Sequence, residues 1–143
     1  MRPLSGLMVG LLILVAIGTA LAGSEIPDLK GKWVWTEHAV RHFRSSELPA
    51  KTHMQSKDRF ADIAFTMTID KQEGFRFSGT KTSKKWTERI SGVIGFDNKT
   101  VYMVDDNGFL RCSLVSPDKM QLVYLHITKD NSVASRGIMV RQK

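Results

Sequence analysis

The chain has 143 residues, 42% of them hydrophobic, and 21 Lys and Arg against 14 Asp and Glu give it a formal net charge of +7. That length suits one domain with its own core, and the single cysteine, Cys112, excludes an intrachain disulfide and a cysteine-built metal centre. The basic balance suits a solubilised exterior first, and after it an anionic surface as partner, such as lipid headgroups or acidic glycans.

Residues Met1 to Ala22 read as a signal-peptide helix rather than as part of the fold: Arg2 supplies the positive end, Leu7 to Ile17 is apolar, and Ala20-Leu21-Ala22 offers small residues for cleavage. The apolar run is shorter than the ~20 residues of a spanning helix. Cleavage near Ala22 implies export to a periplasmic or extracellular compartment, the alternative being an uncleaved N-terminal membrane anchor. Residues 23–143 then form one domain. It opens with Ile26-Pro27-Asp28-Leu29-Lys30-Gly31-Lys32-Trp33, a short turn leading into a strand over Trp33 to Glu37.

His38 to Arg59 is the one irregular stretch, and it reads as a long basic loop over a barrel mouth. It holds His38, Arg41, His42, Arg44 and His53. The i, i+4 spacing of His38 and His42 would put both on one helical face, but no third ligand accompanies them, so no metal is expected. A solvated loop, or one that grips an anionic partner, are the two readings of this segment.

From Phe60 to Arg141 the chain alternates apolar and polar residues and breaks at regular turns, the pattern of a β-meander. Ile63, Phe65, Met67 and Ile69 alternate with polar or small residues. A five-residue loop, Asp70 to Gly74, leads to Phe75 and Phe77, and a further strand runs from Trp86 to Gly95. Turns follow at Phe96 to Lys99, Asp105 to Gly108, Ser116 to Lys119 and Lys129 to Ser132, with Asn107-Gly108 a type I′ hairpin signal. About eight strands result, enough for a small closed barrel, with a β-sandwich as the alternative.

Pairing Val104 with Arg111 and Val115 with Met120 predicts one apolar inner face. It collects Ile90, Ile94, Val101, Met103, Leu110, Cys112 and Leu114, then Val123, Leu125, Ile127, Ala134, Ile138 and Val140. Thr87, Arg89, Ser91, Tyr102, Arg111, Ser113, Leu122, Tyr124, His126, Ser135 and Arg141 fall on the opposite face. Cys112 becomes a buried core thiol.

Gly31-Lys32-Trp33 at the head of the first strand, an up-and-down meander, and a basic residue closing the last strand resemble the calycins, the lipocalin and avidin group. The resemblance implies that Trp33 plugs the closed end of the barrel with a cation across its ring, Arg141 being the candidate, so that Gly31, Trp33 and Arg141 form a structural closure. The family's other motifs are not recognisable in this sequence, which leaves lipocalin and avidin types undivided.

Alternate turns of a meander share one end, so the long loop joins Thr82–Lys85, Asp105–Gly108 and Lys129–Ser132 at the mouth. Lys81, Trp86, Glu88 and Asp105 interrupt the inner face there, Arg136 lies deeper, and Gln121 lies toward the other end. Buried charges must be paired or wet. One reading is an internal Arg–carboxylate pair. The other is a pocket with walls from Phe65, Phe77, Trp86, Met103 and Leu125, in which Glu88, Asp105 and Arg136 orient a small hydrophobic or amphipathic ligand.

No phosphate-binding glycine loop, nucleophile elbow or paired-cysteine spacing is present, so neither an enzyme nor a cofactor is expected. Basic residues lack an aromatic stacking ladder, which argues against nucleic acid. Asn98-Lys99-Thr100 fits a glycosylation acceptor. The sequence thus predicts an exported β-barrel binding protein for a small molecule. The alternative is a secreted or envelope interaction module, inhibitor-like, that engages a protein partner through residues 38–59.

Overall fold

A computed structural model describes residues 25–43, 53 and 59–143. The expected signal peptide, its cleavage site and Arg44 lie outside the described residues. Eight antiparallel strands form a closed barrel in sequence order: β1 (Gly31–Phe43), β2 (Phe60–Glu73), β3 (Arg76–Ser83), β4 (Thr87–Ile94), β5 (Thr100–Val104), β6 (Gly108–Ser116), β7 (Lys119–Ile127) and β8 (Asn131–Arg141). The sheet closes where β8 pairs with β1, so no edge is left open. The β-sandwich alternative is excluded.

Each strand follows its alternation. Trp33, Trp35, Glu37, Ala39 and Arg41 point inward from β1, and Ile63, Phe65, Met67 and Ile69 from β2. Buried Met67, Met103, Met120 and Met139 fill the interior with Ile90, Leu110 and Cys112. Unbranched methionines suit the irregular centre of a sheared barrel.

Strand β1 is much longer than Trp33 to Glu37. His38 to Val40 continue its ladder with β2 and His38 to Phe43 continue it with β8, so the first half-dozen residues of the expected loop belong to the wall. The strand continues because His38-Ala39-Val40-Arg41-His42-Phe43 still alternates, with small Ala39 and long Arg41 as its inward residues. His38 and His42 therefore share the outer face of a strand, not a helical face.

The first hairpin is tighter than a five-residue loop. Strand β2 runs to Glu73, a bulge falls between Ile69 and Lys71, and Gly74 turns the chain at φ 57°. At the β5–β6 turn, Val104 pairs with Phe109, two residues from the expected Arg111, which leaves every side chain on its expected face. This turn is not type I′, since neither Asn107 nor Gly108 has positive φ. The Asp105 carboxylate builds it instead, accepting the amides of Asn107 at 3.0 Å and Gly108 at 2.7 Å. A Cβ on Gly108 would stand 2.4 Å from the Tyr124 ring, so close approach explains this glycine.

The next hairpin changes phase. A bulge between Leu114 and Ser116 pairs Leu114, not Val115, with Met120. A one-residue shift moves every side chain of β7 to the other face. Leu122 and Tyr124 are therefore inside, while Val123, Leu125 and Ile127 face solvent. Strand β8 inherits the shift, with Ser135 and Met139 buried and Ala134, Arg136, Ile138 and Val140 exposed. Leu114 is half-buried against the core. The outcome is an outer row of successive register partners, Val104, Phe109, Leu125, Ala134, Val40 and Phe60, all exposed and apolar.

At the closed end, the segment before β1 lies across the barrel. Buried Leu29 accepts the Trp33 indole N–H on its carbonyl at 2.9 Å, and Gln72 receives the Leu29 amide at 2.8 Å while donating to the Pro27 carbonyl at 2.8 Å. The Arg141 guanidinium sits 4.7 Å above the Trp33 ring. It donates to the carbonyls of Asp28 (2.5 Å), Lys30 (3.0 Å) and Pro117 (3.0 Å) and faces Asp118 at 3.3 Å. One side chain thus ties the entry segment, the β6–β7 turn and the plug together. Gly31 makes the bend into β1 at φ 121°, a region that side chains avoid.

Candidate functional site

The opposite end of the interior is polar. Strand β3 delivers Lys81 and Ser83, β4 delivers Glu88, the β5–β6 turn delivers Asp105 and Asn107, and β1 delivers Glu37. The inverted β7 adds Tyr124 and His126, and β8 adds Asn131 and Ser135. Position 53 completes the set with its imidazole.

Lys81 is the hub. Its side chain is 1% exposed, its ammonium contacts Asp105 directly and lies 3.1 Å from Glu88, and the rings of Tyr124 and Phe65 stand 4.8 and 5.3 Å away. Burial disfavours the ammonium, but the charges of Asp105 and Glu88 outweigh it and raise the Lys81 pKa above the ordinary value. Burial likewise pushes Glu88 up, yet the His53 hydrogen bond and the Lys81 charge prevail and hold its carboxyl at about 2. Burial, with the charges of Asp105, Glu88 and Glu37, raises the Tyr124 hydroxyl far above its usual range, and burial lowers His126.

Every buried carboxylate oxygen of the cluster has a donor. Asp105 takes two backbone amides on one oxygen and Lys81 on the other. Glu88 takes Asn107 at 3.2 Å on one oxygen and both His53 and Lys81 on the other. Glu37, at the next level of the wall, takes the Trp35 indole at 3.1 Å and the Ser135 hydroxyl at 2.6 Å. A network satisfied in this way is rigid, and its low-dielectric setting strengthens each bond.

A cavity of about 40 Å³ remains between these groups, lined by Glu37, His53, Lys81, Glu88, Tyr124 and His126 with apolar contacts from Ile63, Phe65 and Val133. It has room for water-sized guests. Below it the barrel is filled by side chains.

Of the residues expected to bind ligand, Glu88 and Asp105 meet at this cluster, and Trp86 stands half-buried on the adjoining turn, its amide donating to Ser83. Three do not join them. Phe77 is buried beside the β2–β3 turn at the closed end, crossing Gly92. Met103 is a core residue. Arg136 is exposed on the outer wall opposite His38, because the β6–β7 bulge inverts its strand. The cation that pairs with Glu88 and Asp105 is therefore Lys81 and not an arginine on β8. Among the expected mouth-loop residues, Arg41 is an inward wall residue over the Phe43 ring at 4.3 Å. His38 is exposed and bonded to Asp62 at 2.8 Å, and His42 is exposed four residues further along the same face of β1.

Sequence reasoning misses Glu37, Ser83 and Tyr124. Glu37 carries a usable signal, since it continues the Trp33, Trp35 phase. Tyr124 carries none without the bulge. Among the described residues, no group of three His, Cys, Asp or Glu could hold a metal ion. The chain matches no protein-family model and no curated protein.

Proposed function

We propose that this chain is an exported β-barrel binding protein, calycin-like in architecture, whose small amphipathic ligand docks at the mouth. One observation carries the reading: a preorganised set of charged and hydrogen-bonding groups is gathered inside the open end, above an interior that is otherwise apolar. Among the described residues, Glu88, Asp105 and Glu37 outnumber Lys81 and Arg41 there, which supports a ligand head that donates hydrogen bonds. Phe65, Ile63 and Val133 offer its apolar part a wall. A long acyl chain has no support, because methionine and leucine side chains occupy the space beneath. The alternative of an interaction module acting through residues 38–59 loses part of its basis, since His38 to Phe43 are wall.

Three indole N–H groups make the test. Trp33 reports on the closed end, whereas Trp35 and Trp86 report on the mouth half and the rim. A panel of water-soluble amines, carboxylates, azoles and sugars should include compounds that shift the Trp35 and Trp86 resonances in ¹H–¹⁵N spectra and leave Trp33 still. Silence at both across the panel refutes the reading.

A further inference from the structure

His53 does not belong to the barrel ladder, yet its ring is fixed by three elements of the wall. Its Nδ1 lies 2.7 Å from the Ser83 hydroxyl, its Nε2 lies 2.6 Å from Glu88, and its edge meets the Phe65 ring at 4.8 Å and 71°. The wall partners are held without it. Ser83 Oγ accepts the amides of Lys85 and Trp86, both at 3.2 Å. Glu88 is anchored by Lys81 and Asn107, and Phe65 is stacked on Trp35 at 5.2 Å.

These contacts fix the direction of each bond. A hydroxyl has two lone pairs and one proton. The two amides use the lone pairs of Ser83, so its proton points at His53 Nδ1. That nitrogen accepts, and Nε2–H donates to the Glu88 carboxylate. The wall is thus complementary to a neutral, planar ring with an acceptor nitrogen and a donor N–H on opposite sides. Such a ring is an azole. Further polar groups, Glu37, Tyr124, His126 and Asn131, line the adjoining cavity and would meet substituents on it.

Resting on the ligand-binding reading above, we infer that the mouth is a receptor for azole-containing small molecules, and that His53 is an intramolecular occupant which such a ligand displaces. A self-occupied site binds an external ligand more weakly by the fraction of time it stands open. Removing the occupant exposes the full affinity.

The experiment compares the wild-type chain with His53→Ala, using imidazole as the probe at about pH 8, above the ordinary histidine range. The substitution lies outside the ladder, and unchanged Trp33 indole and core methyl resonances check the barrel. Imidazole should bind His53→Ala at least about tenfold more tightly than wild type, with shifts at Trp35 and the Asn107 side-chain amide. Pyrrole, which lacks the acceptor, and 1-methylimidazole, which lacks the donor, should bind the variant at least about tenfold more weakly than imidazole. Ser83→Ala added to His53→Ala should abolish the preference over pyrrole. Equal imidazole affinity in wild type and His53→Ala overturns the role of His53. If the variant takes amines, sugars or pyrrole as well as it takes imidazole, the azole assignment falls while the mouth stays a ligand site. If neither protein takes any compound, both readings fall.

Discussion

Glu88→Gln isolates the electrostatic core of the mouth. The carboxyl is 2% exposed and its pKa drops from 4.5 to about 2 in the folded state. At about 1.4 kcal/mol per pKa unit, ionised Glu88 stabilises the fold at pH 7 by roughly 3 kcal/mol. That agrees with the 3–5 kcal/mol expected when one partner of a buried ion pair is removed, about as here, where Lys81 would keep only Asp105. Because the folded value lies below the unfolded one, this stabilisation is complete above pH 4.5 and disappears as pH falls toward about 2. At pH 3 about 1.4 kcal/mol remains, so the gap between wild type and variant should narrow by about 2 kcal/mol from pH 7 to pH 3. Urea unfolding of both proteins at the two pH values measures it. Asp97, also held at about 2, by its bonds to the Thr100 hydroxyl and the backbone amides of Thr100 and Lys99, titrates in both proteins and cancels from the difference. A gap that stays constant with pH, or a cost at pH 7 below about 1 kcal/mol, refutes the paired, buried carboxylate.

The inverted phase of β7 predicts that Leu122→Ala costs about 2–4 kcal/mol and Val123→Ala less than about 1, measured by urea unfolding; the reverse order would restore the register without a bulge. Arg141→Ala should lower stability by about 2–3 kcal/mol, and Arg141→Lys should recover less than half, since an ammonium cannot span three carbonyls and cover Trp33 at once; thermal melts decide it. Burial pushes the Cys112 thiol up to about 12, so an aromatic disulfide reagent should leave the native protein unlabelled and label it fully in denaturant; fast native labelling would put Cys112 on the surface. Gly108→Ala should displace the Tyr124 ring, costing about 1–3 kcal/mol and shifting the Tyr124 resonances, and a silent substitution would contradict the close approach.

The barrel was legible because alternation survives errors of two residues. Pairing Val104 with Arg111 in place of Phe109 leaves Leu110 and Cys112 inside. The same tolerance placed Lys81, Glu88 and Asp105 at the inner mouth, since all three precede the bulge at Val115. Everything after that residue depends on a single extra position that no turn signal marks. For this reason alone the alternation points Arg136 inward as a cation and turns Tyr124, which contributes a ring to the Lys81 ammonium, outward. The imidazole of His53 was beyond reach for another reason: its partners Ser83 and Glu88 are 30 and 35 residues away, and no local pattern encodes such a contact.

The bulge nevertheless leaves a trace in the sequence. A cation can lie across the Trp33 ring only if the residue at 141 projects toward the same side of the sheet as Trp33, because β1 and β8 pair directly, Trp33 with Arg141. Putting Arg141 on that side forces Met139 inward and sends Ile138 and Val140 out. The β7–β8 pairing then carries the same phase to Leu122 and Tyr124. The apolar face expected from Met120 onward is incompatible with this closure, and the conflict is removed by one inserted residue between Leu110 and Met120. Barrel closure is a constraint that open sheets lack: the phase of the last strand is fixed twice, once along the chain and once across the seam. A mismatch between the two shows that an odd number of bulges is missing from the pairing; the phase change at Ile69 and Lys71 is already absorbed by the expected Asp70–Gly74 loop, so the missing one is that between Leu114 and Ser116.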